Sequence, residues 1–257
     1  VTNEVSLTSK RYVTEEYRVQ KVDGVILFGY GKFGKNIAKK LKEEDVDILL
    51  VESNQEYYKE ALQDGFSSAK IIDVTDDAQL EKLPINDKHI LVCVMDDDHL
   101  NVFLVLSLRA LFPNNKVFAI SDSIHATSKL KMAGAHKVID LYLVSANRIQ
   151  NILNKPIATK FLEGFTDRSN PYSFREITIP QDSFIDGKYL DDIDFRKYGI
   201  IYIGIIDVEL GNSFIFVTTG LKHKLDSGDI IVCIGNDRDL DRFEELLKQE
   251  KEICQVD

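Results

Sequence analysis

Between residues 25 and 38 the chain reads Val-Ile-Leu-Phe-Gly29-Tyr-Gly31-Lys-Phe-Gly34-Lys-Asn-Ile-Ala, a G-x-G-x-x-G spacing set between a β-branched run and an amphipathic one. These residue types at this spacing could bind a diphosphate. Gly29 would permit a tight turn, Gly31 would let the backbone approach a pyrophosphate, and Gly34 would let a helix pack close to its strand. The anion would sit on unpaired N–H groups at a helix N-terminus, where the helix dipole adds attraction. Lys32 either adds charge there or faces solvent. Glu52 lies 21 residues beyond Gly31 and closes the run Asp47-Ile-Leu-Leu-Val-Glu. There a carboxylate can accept both hydroxyls of an adenosine ribose; the alternative is a surface acid at a strand end. A 2′-phosphate would meet that negative charge, so NADP is disfavoured. Asp73, Val74 and Met95 come after the next two apolar runs, where they could frame an adenine ring. Thr75, Asp97 and Asp98 read equally well as caps and turn formers.

No comparable pattern supports catalysis. His89, His99, His125, His136 and His223 are scattered, and the chain contains no G-x-S-x-G, H-E-x-x-H or Walker lysine motif. Catalytic residues are therefore expected to be absent, and binding without turnover is the expectation. Composition narrows the partners. With 32 Lys and Arg against 42 Asp and Glu, the net charge is -10, the opposite of what a general binder of nucleic acid or anionic membrane carries. Cys93, Cys233 and Cys254 are far apart and form no C-x-x-C, which reads as buried thiols in a reducing cytoplasm. No run approaches the roughly 18 to 20 apolar residues of a membrane span, and none resembles the apolar region of a signal peptide.

The elements that would position these residues can be read from periodicity. Residues 1–22 are polar and aperiodic, and read as a leader or linker. Strand-like runs at Val25–Phe28, Asp47–Val51, Ala69–Ile72, Ile90–Met95, Lys116–Ser121 and Lys137–Ile139 alternate with helical stretches at 36–44, 55–64, 78–83, 100–111 and 124–133. Parallel neighbours need helical crossovers, so this alternation predicts an α/β doubly wound parallel sheet over residues 23–144. Residues 145–170 read as a connecting helix opened by Ser145 and broken near Pro156. Ile149, Ile152, Leu153 and Ile157 form its apolar stripe, which either packs on its own domain or docks on another subunit. Residues 171–257 read as a small α+β lobe with strands near 174–179, 200–208, 213–217 and 229–234. A hairpin turns at Gly211-Asn212, a polar helical patch lies around 188–194, and a terminal helix spans 237–251.

At these residues the chain resembles the RCK/KTN (TrkA-N plus TrkA-C) regulatory domains of prokaryotic potassium channels and of Trk and Ktr transport subunits. The likeness covers about residues 22–250. It rests on Phe28-Gly-Tyr-Gly-Lys-Phe-Gly34, Val51-Glu52, Ile72-Asp-Val-Thr75, Lys131-Met-Ala-Gly-Ala135, Ile179-Pro180, Gly187-Lys188, Gly228-Asp-Ile230 and Ile234-Gly235. The resemblance implies a Rossmann-like N-lobe, a crossover helix exchanged between protomers and a C-lobe completing an intertwined homodimer, with dimers assembling into an octameric gating ring. It also implies that Gly29, Tyr30, Gly31, Phe33, Gly34, Glu52, Ser53, Asp73, Val74 and Met95 contact a nucleotide, NAD(H) or ATP/ADP.

In calcium-gated relatives, carboxylates after the third and fifth strands bind the ion. Asp73 and Asp122 stand at those places, but Ile120 replaces a further acid, and calcium wants six to eight oxygens; a differently built ion site would use Asp96 to Asp98. The function implied is a nucleotide-sensing gating domain at the cytoplasmic face of the inner membrane, shifting ring shape to gate a potassium pore joined upstream of Val1. One alternative is a peripheral NAD(H)- or ATP-binding subunit of a Trk/Ktr transporter. Another is an NAD-dependent oxidoreductase with a small appended lobe.

Overall fold

The structure, a computed structural model, describes residues 23–165, 170–208, 214–217 and 223–248. The expected leader 1–22, the turn at Asp167-Arg168-Ser169, the hairpin turn at Gly211-Asn212 and the end of the terminal helix lie outside the described residues. The chain divides into two units, with the division falling between Asn154 and Lys155.

The first unit holds six parallel strands, β1 (Gly24–Phe28), β2 (Ile48–Glu52), β3 (Lys70–Ile71), β4 (His89–Cys93), β5 (Lys116–Ser121) and β6 (Lys137–Asp140), in the order β3-β2-β1-β4-β5-β6. The order reverses direction between β1 and β4, so the crevice beyond their carboxyl ends is where an open α/β sheet takes its ligands. Side chains alternate across each strand. Val25 and Leu27 join Leu50 under α1 (Gly34–Glu43) and α2 (Gln55–Gln63), packing with Ala38, Ala61 and Phe66. Ile26 and Phe28 face the other way with Val51, Leu91 and Cys93, covered by Leu104, Val105 and Leu108 of α4 (Asp98–Leu111) and Leu130 of α5 (Ile124–Met132). The expected doubly wound parallel sheet is thus present. Its weakest strand is β3, where Lys70 and Ile71 are both exposed at the sheet edge.

The short helix α3 (Asp77–Leu80) completes the β3–β4 crossover. Beyond β6 the expected connecting helix is two helices, and the first starts earlier than Ser145. Helix α6 (Leu141–Asn154) begins directly after Asp140, whose carboxylate accepts from Leu143 N–H at 2.9 Å. Ser145 already lies inside it, donating its hydroxyl to the Leu141 carbonyl at 2.6 Å. The break comes where proline requires it, because Pro156 has no N–H to continue the ladder and instead opens a new helix, α7 (Pro156–Gly164).

In the second unit, strands β7 (Tyr172–Thr178), β8 (Ile200–Ile206), β9 (Phe214–Phe216) and β10 (Ile230–Asn236) form an antiparallel sheet in the order β7-β10-β8-β9. Phe165 ties α7 to β7, its ring lying 4.9 Å from that of Phe161 and 4.4 Å from that of Phe174. The polar patch after residue 188 is two 3₁₀ turns, Leu190–Asp192 and Phe195–Tyr198, rather than a helix. Helix α8 (Asp237–Leu247) lays Leu240, Phe243 and Leu247 onto the sheet with Ile177, Tyr202 and Ile231. Arg175 on β7 meets its acidic side, with Asp241 at 3.0 Å and Glu244 at 3.2 Å.

Candidate functional site

The glycine loop runs from Gly29 to Gly34 between β1 and α1. At Gly29 φ is +110°, and an added Cβ would lie 2.7 Å from the Val94 carbonyl oxygen. At Gly34 a Cβ would lie 2.0 Å from the Gly29 carbonyl oxygen, so only glycine lets α1 start this close to the turn. Helices α2, α3, α4 and α5 each begin with a side chain that caps backbone N–H groups: Asn54, Asp76, Asp97 and Ser123. Helix α1 begins at Phe33 with no side-chain cap. Of its first N–H groups, that of Lys35 donates to the Gly31 carbonyl at 3.2 Å, and no side chain serves the cap position.

A carboxylate from elsewhere in the fold does reach the loop. Asp96, in the turn between β4 and α4, accepts from Lys32 N–H at 3.0 Å through Oδ1 and from the Tyr57 hydroxyl at 3.0 Å through Oδ2. The same carboxylate lies 2.2 to 2.4 Å from where a Cβ on Gly31 would be. Gly31 therefore does allow the close approach of an anion to the backbone, and in this structure the anion is the protein's own. The hydrogen bond from Tyr57 to Asp96 holds the Tyr57 phenol above its ordinary pKa. The Lys32 ammonium is 5.4 Å from the centre of the Phe33 ring, and its residue is exposed.

Glu52 is 1% exposed and is engaged as well. Its Oε2 accepts from Tyr30 N–H at 2.6 Å, and its Oε1 accepts from Ser53 N–H at 2.7 Å and Asn54 N–H at 2.8 Å. A carboxylate offers about four acceptor positions, so three are filled by the backbone of the loops after β1 and β2. Glu52 ties those two loops together. Tyr30 presents only its backbone to this side, because its ring is buried edge-on against Phe66 at 5.5 Å and its hydroxyl donates to Asp64 at 2.7 Å. Burial, then Asp64, push the Tyr30 phenol well above its usual pKa. Lys39, at 2.9 Å, and the Tyr30 hydroxyl in turn hold the Asp64 carboxyl below its ordinary value.

Beside the loop, Lys32, Phe33, Met95, Asp96, Asp98, Asn101, Ile120 and Asp122 line a cleft of about 170 Å³. That is room for a phosphate, well short of the several hundred Å³ that hold a drug-sized molecule. Asn101, which sequence reasoning did not single out, clamps the cleft wall: its side chain accepts from Met95 N–H at 2.9 Å and donates to the Met95 carbonyl at 2.8 Å. Burial first, and a hydrogen bond with Asp122 second, raise the Asp98 carboxyl above its ordinary pKa.

The fold thus gathers Gly29, Gly31, Phe33, Gly34, Met95, Asp96 and Asp122 at the ends of β1, β4 and β5. Ser53, which is exposed, and Glu52 stand at the end of β2. Val74 is 1% exposed within the apolar core. Asp73 forms a turn, accepting from Thr75 N–H at 2.9 Å and from the Thr75 hydroxyl at 2.6 Å, bonds that lower its pKa. Neither Asp73 nor Val74 lines the cleft. Among the described residues, no group of three or more His, Cys, Asp or Glu could hold a metal ion.

The groups present fit a phosphate at the loop on one condition. The backbone donors are in place, and Asp96 must leave them.

Residues 25–141 match the TrkA-N domain family. The match runs the length of the first lobe, from β1 to the start of α6. The resemblance drawn from the glycine motif holds, and similarity extends beyond this lobe. The chain is 29% identical over 239 residues to probable potassium channel protein 2 of Methanocaldococcus jannaschii, covering 89% of this chain and 68% of that protein. It is 27% identical over 221 residues to the Ktr system potassium uptake protein C of Bacillus subtilis, covering 85% of this chain and 94% of that one. The human SLO3 gating ring shares the fold, with a TM-score of 0.62 at 12% identity over 85% of this chain and 45% of the other. The chain spans about two thirds of the Methanocaldococcus protein and under half of the SLO3 chain. No helix among the described residues is long and apolar enough to cross a membrane.

Proposed function

We propose that this chain is the ligand-sensing gating module of a potassium channel, and that its TrkA-N lobe takes the phosphates of an adenine nucleotide, NAD(H), ATP or ADP, on the glycine loop. One observation carries the ligand class: just before a helix start that has no side-chain cap, the Lys32 N–H already holds a carboxylate at the position Gly31 keeps open. Donors that hold a carboxylate there can hold a phosphate, since both are acceptor-only anions. Glu52 keeps the loop in shape; its burial and its three backbone donors leave it no room to accept both ribose hydroxyls as expected from spacing.

The channel reading is supported by two Methanocaldococcus channel proteins, 29% and 28% identical to this chain. The transporter-subunit reading fits less well and rests on the Ktr protein, 27% identical to this chain. The two share their ligand chemistry, and the sequence encoded upstream of Val1 separates them: two apolar spans flanking a potassium-filter-like segment establish the channel.

Self-association is part of the proposal. In the first unit α6 has no buried residue and exposes Tyr142, Ile149 and Leu153; in the second, α7 exposes Ile157 and Phe161. Apolar surface on this scale is expected to be covered, and a second copy of the chain is the proposed cover. A ligand that fits one arrangement of the assembled copies better than another shifts the assembly toward it, by no more than its differential affinity.

The test is calorimetric titration with ADP, ATP and NAD. Gly31→Asp puts a second carboxylate where Asp96 already lies, and should weaken binding at least about tenfold. Unchanged affinity in that variant would refute the loop as the ligand site. Reduction of NAD with a simple alcohol or hydroxy acid would refute binding without turnover.

A further inference from the structure

We infer that Asp96 is an internal stand-in for the ligand's phosphate: a latch on the glycine loop that an anionic ligand must displace before it can bind. The inference rests on the proposed nucleotide site and concerns how that site is regulated.

Three observations meet at this side chain. The Asp96 carboxylate uses the Lys32 N–H, which an incoming phosphate would need. It fills the space above Gly31 that the absence of a Cβ creates. Among the described residues it has no partner in the positive side chains near the loop; the ammonium of Lys32 is turned toward the Phe33 ring. Two anions cannot share one set of donors without a cation between them, since each disfavours the other's charge. At the Lys32 N–H, binding is therefore an exchange of one acceptor for another, whatever space the cleft beside it offers. The cleft of about 170 Å³ agrees with this, being too small for a nucleotide while Asp96 keeps its place.

Release of Asp96 also has a route outward. Its Oδ2 accepts from the Tyr57 hydroxyl of α2, and its backbone lies directly before α4, whose N-cap is the adjacent Asp97. When a phosphate takes the Lys32 N–H, the Tyr57 hydroxyl loses its acceptor and the turn between β4 and α4 is freed from the loop. Ligand arrival at the β1–α1 turn is thereby felt on both faces of the sheet, by α2 on one and α4 on the other. A latched fraction also sets the working range, because apparent affinity falls in proportion to the fraction of molecules whose site is open.

The experiment uses the full chain in magnesium-free buffer, so that no cation can bridge Asp96 to the ligand. ADP is titrated into the native protein, Asp96→Asn, Asp96→Ala and Tyr57→Phe, with the Lys32 amide followed by ¹⁵N NMR. Loss of one charge-assisted bond at an exposed position should tighten ADP binding about tenfold in the Asp96 variants and less in Tyr57→Phe. The Lys32 amide should move when ADP is added to the native protein, and should already be displaced in ligand-free Asp96→Ala. Binding seen only in the Asp96 variants would support the latch further. If the native protein binds ADP and both Asp96 variants bind it equally or more weakly, the latch is overturned and the nucleotide site stands. If native protein and variants alike bind no ADP, ATP or NAD, the latch and the proposed function fall together. Circular dichroism of each variant confirms that it is folded, and Tyr57→Phe repeats the test without touching the loop or its carboxylate.

Discussion

Glu52 offers the sharpest test of how the glycine loop is held, because it can be perturbed and read without any ligand. Its carboxylate, 1% exposed, accepts three backbone N–H groups, from Tyr30, Ser53 and Asn54, at 2.6 to 2.8 Å. Glu52→Ala leaves all three without their acceptor. A buried donor without a partner costs about 1–3 kcal/mol. The Tyr30 bond is buried and carries that penalty in full, whereas the Ser53 and Asn54 bonds are partly exposed, so water can replace part of theirs. The sum is about 3 kcal/mol, which is a little over a hundredfold in an opening equilibrium. Glu52→Gln keeps one acceptor oxygen but points an N–H₂ at a donor, and should cost about half as much.

Amide hydrogen exchange measures this residue by residue. Exchange at Tyr30 should accelerate about a hundredfold in Glu52→Ala and less in Glu52→Gln, while Ile231 in the second unit stays protected. Unchanged protection at Tyr30, or equal effects of the two substitutions, would refute the account of Glu52 as the tie between the loops. The result also governs how any loss of nucleotide binding in Glu52 variants is interpreted, since a loosened loop loses affinity without any lost ribose contact.

Two other carboxylates give outcomes of their own. Asp229 is 2% exposed and accepts from Val208 N–H at 3.1 Å and Asp226 N–H at 2.9 Å, so Asp229→Ala should destabilise the second unit by about 2–4 kcal/mol in urea unfolding and leave Tyr30 protection in the first unit unchanged. Asp98 carries a raised carboxyl pKa from burial and from Asp122; a raised value means that its stabilising contribution is present below the unfolded value near 3.8 and is lost as pH rises through the folded one. Above the unfolded value Asp98 therefore contributes against folding. Asp98→Asn should raise the melting temperature at pH 7 and lose that gain below about pH 4; a gain equal at both pH values would show that charge is not the cause.

Most of the first lobe was legible from the chain because its information is local. Val25–Phe28 and Lys116–Ser121 are short branched runs between helical stretches, and that alternation alone implies parallel strands with crossovers. Departures occurred where tertiary contacts outweighed propensity. The run Ala69–Ile72 yields two paired residues, because at the sheet edge only Lys70 and Ile71 reach the partners Val51 and Glu52. The cap of α6 lies five residues before Ser145, because that serine has the chemistry of a cap while Asp140, at the strand's last position, supplies the acceptor. The patch after Lys188 carries charges at helical spacing, yet Gly199, at φ +74°, ends the second turn and returns the chain to β8.

The candidate site was legible in its glycines and illegible in its carboxylates, for a physical reason. A glycine declares a backbone geometry that its neighbours must share, so G-x-G-x-x-G beside a strand carries its own context. An acid declares only a charge. Glu52 and Asp96 are both acids at strand ends facing the same loop, and spacing could not say that one would hold it from within and the other from outside. The contact from Lys32 to Asp96 joins residues 64 apart, and the contact from Tyr57 joins residues 39 apart. Only the sheet order, with β1 between β2 and β4, brings them together.

That arrangement also resolves how a chain of net charge -10 could take an anionic ligand. The donors at the loop are backbone N–H groups with fixed geometry, so affinity depends on local geometry rather than on the surrounding field. Two carboxylates already occupy them, one buried and one exposed. An anion that replaces the exposed one gains only the difference between the two acceptors.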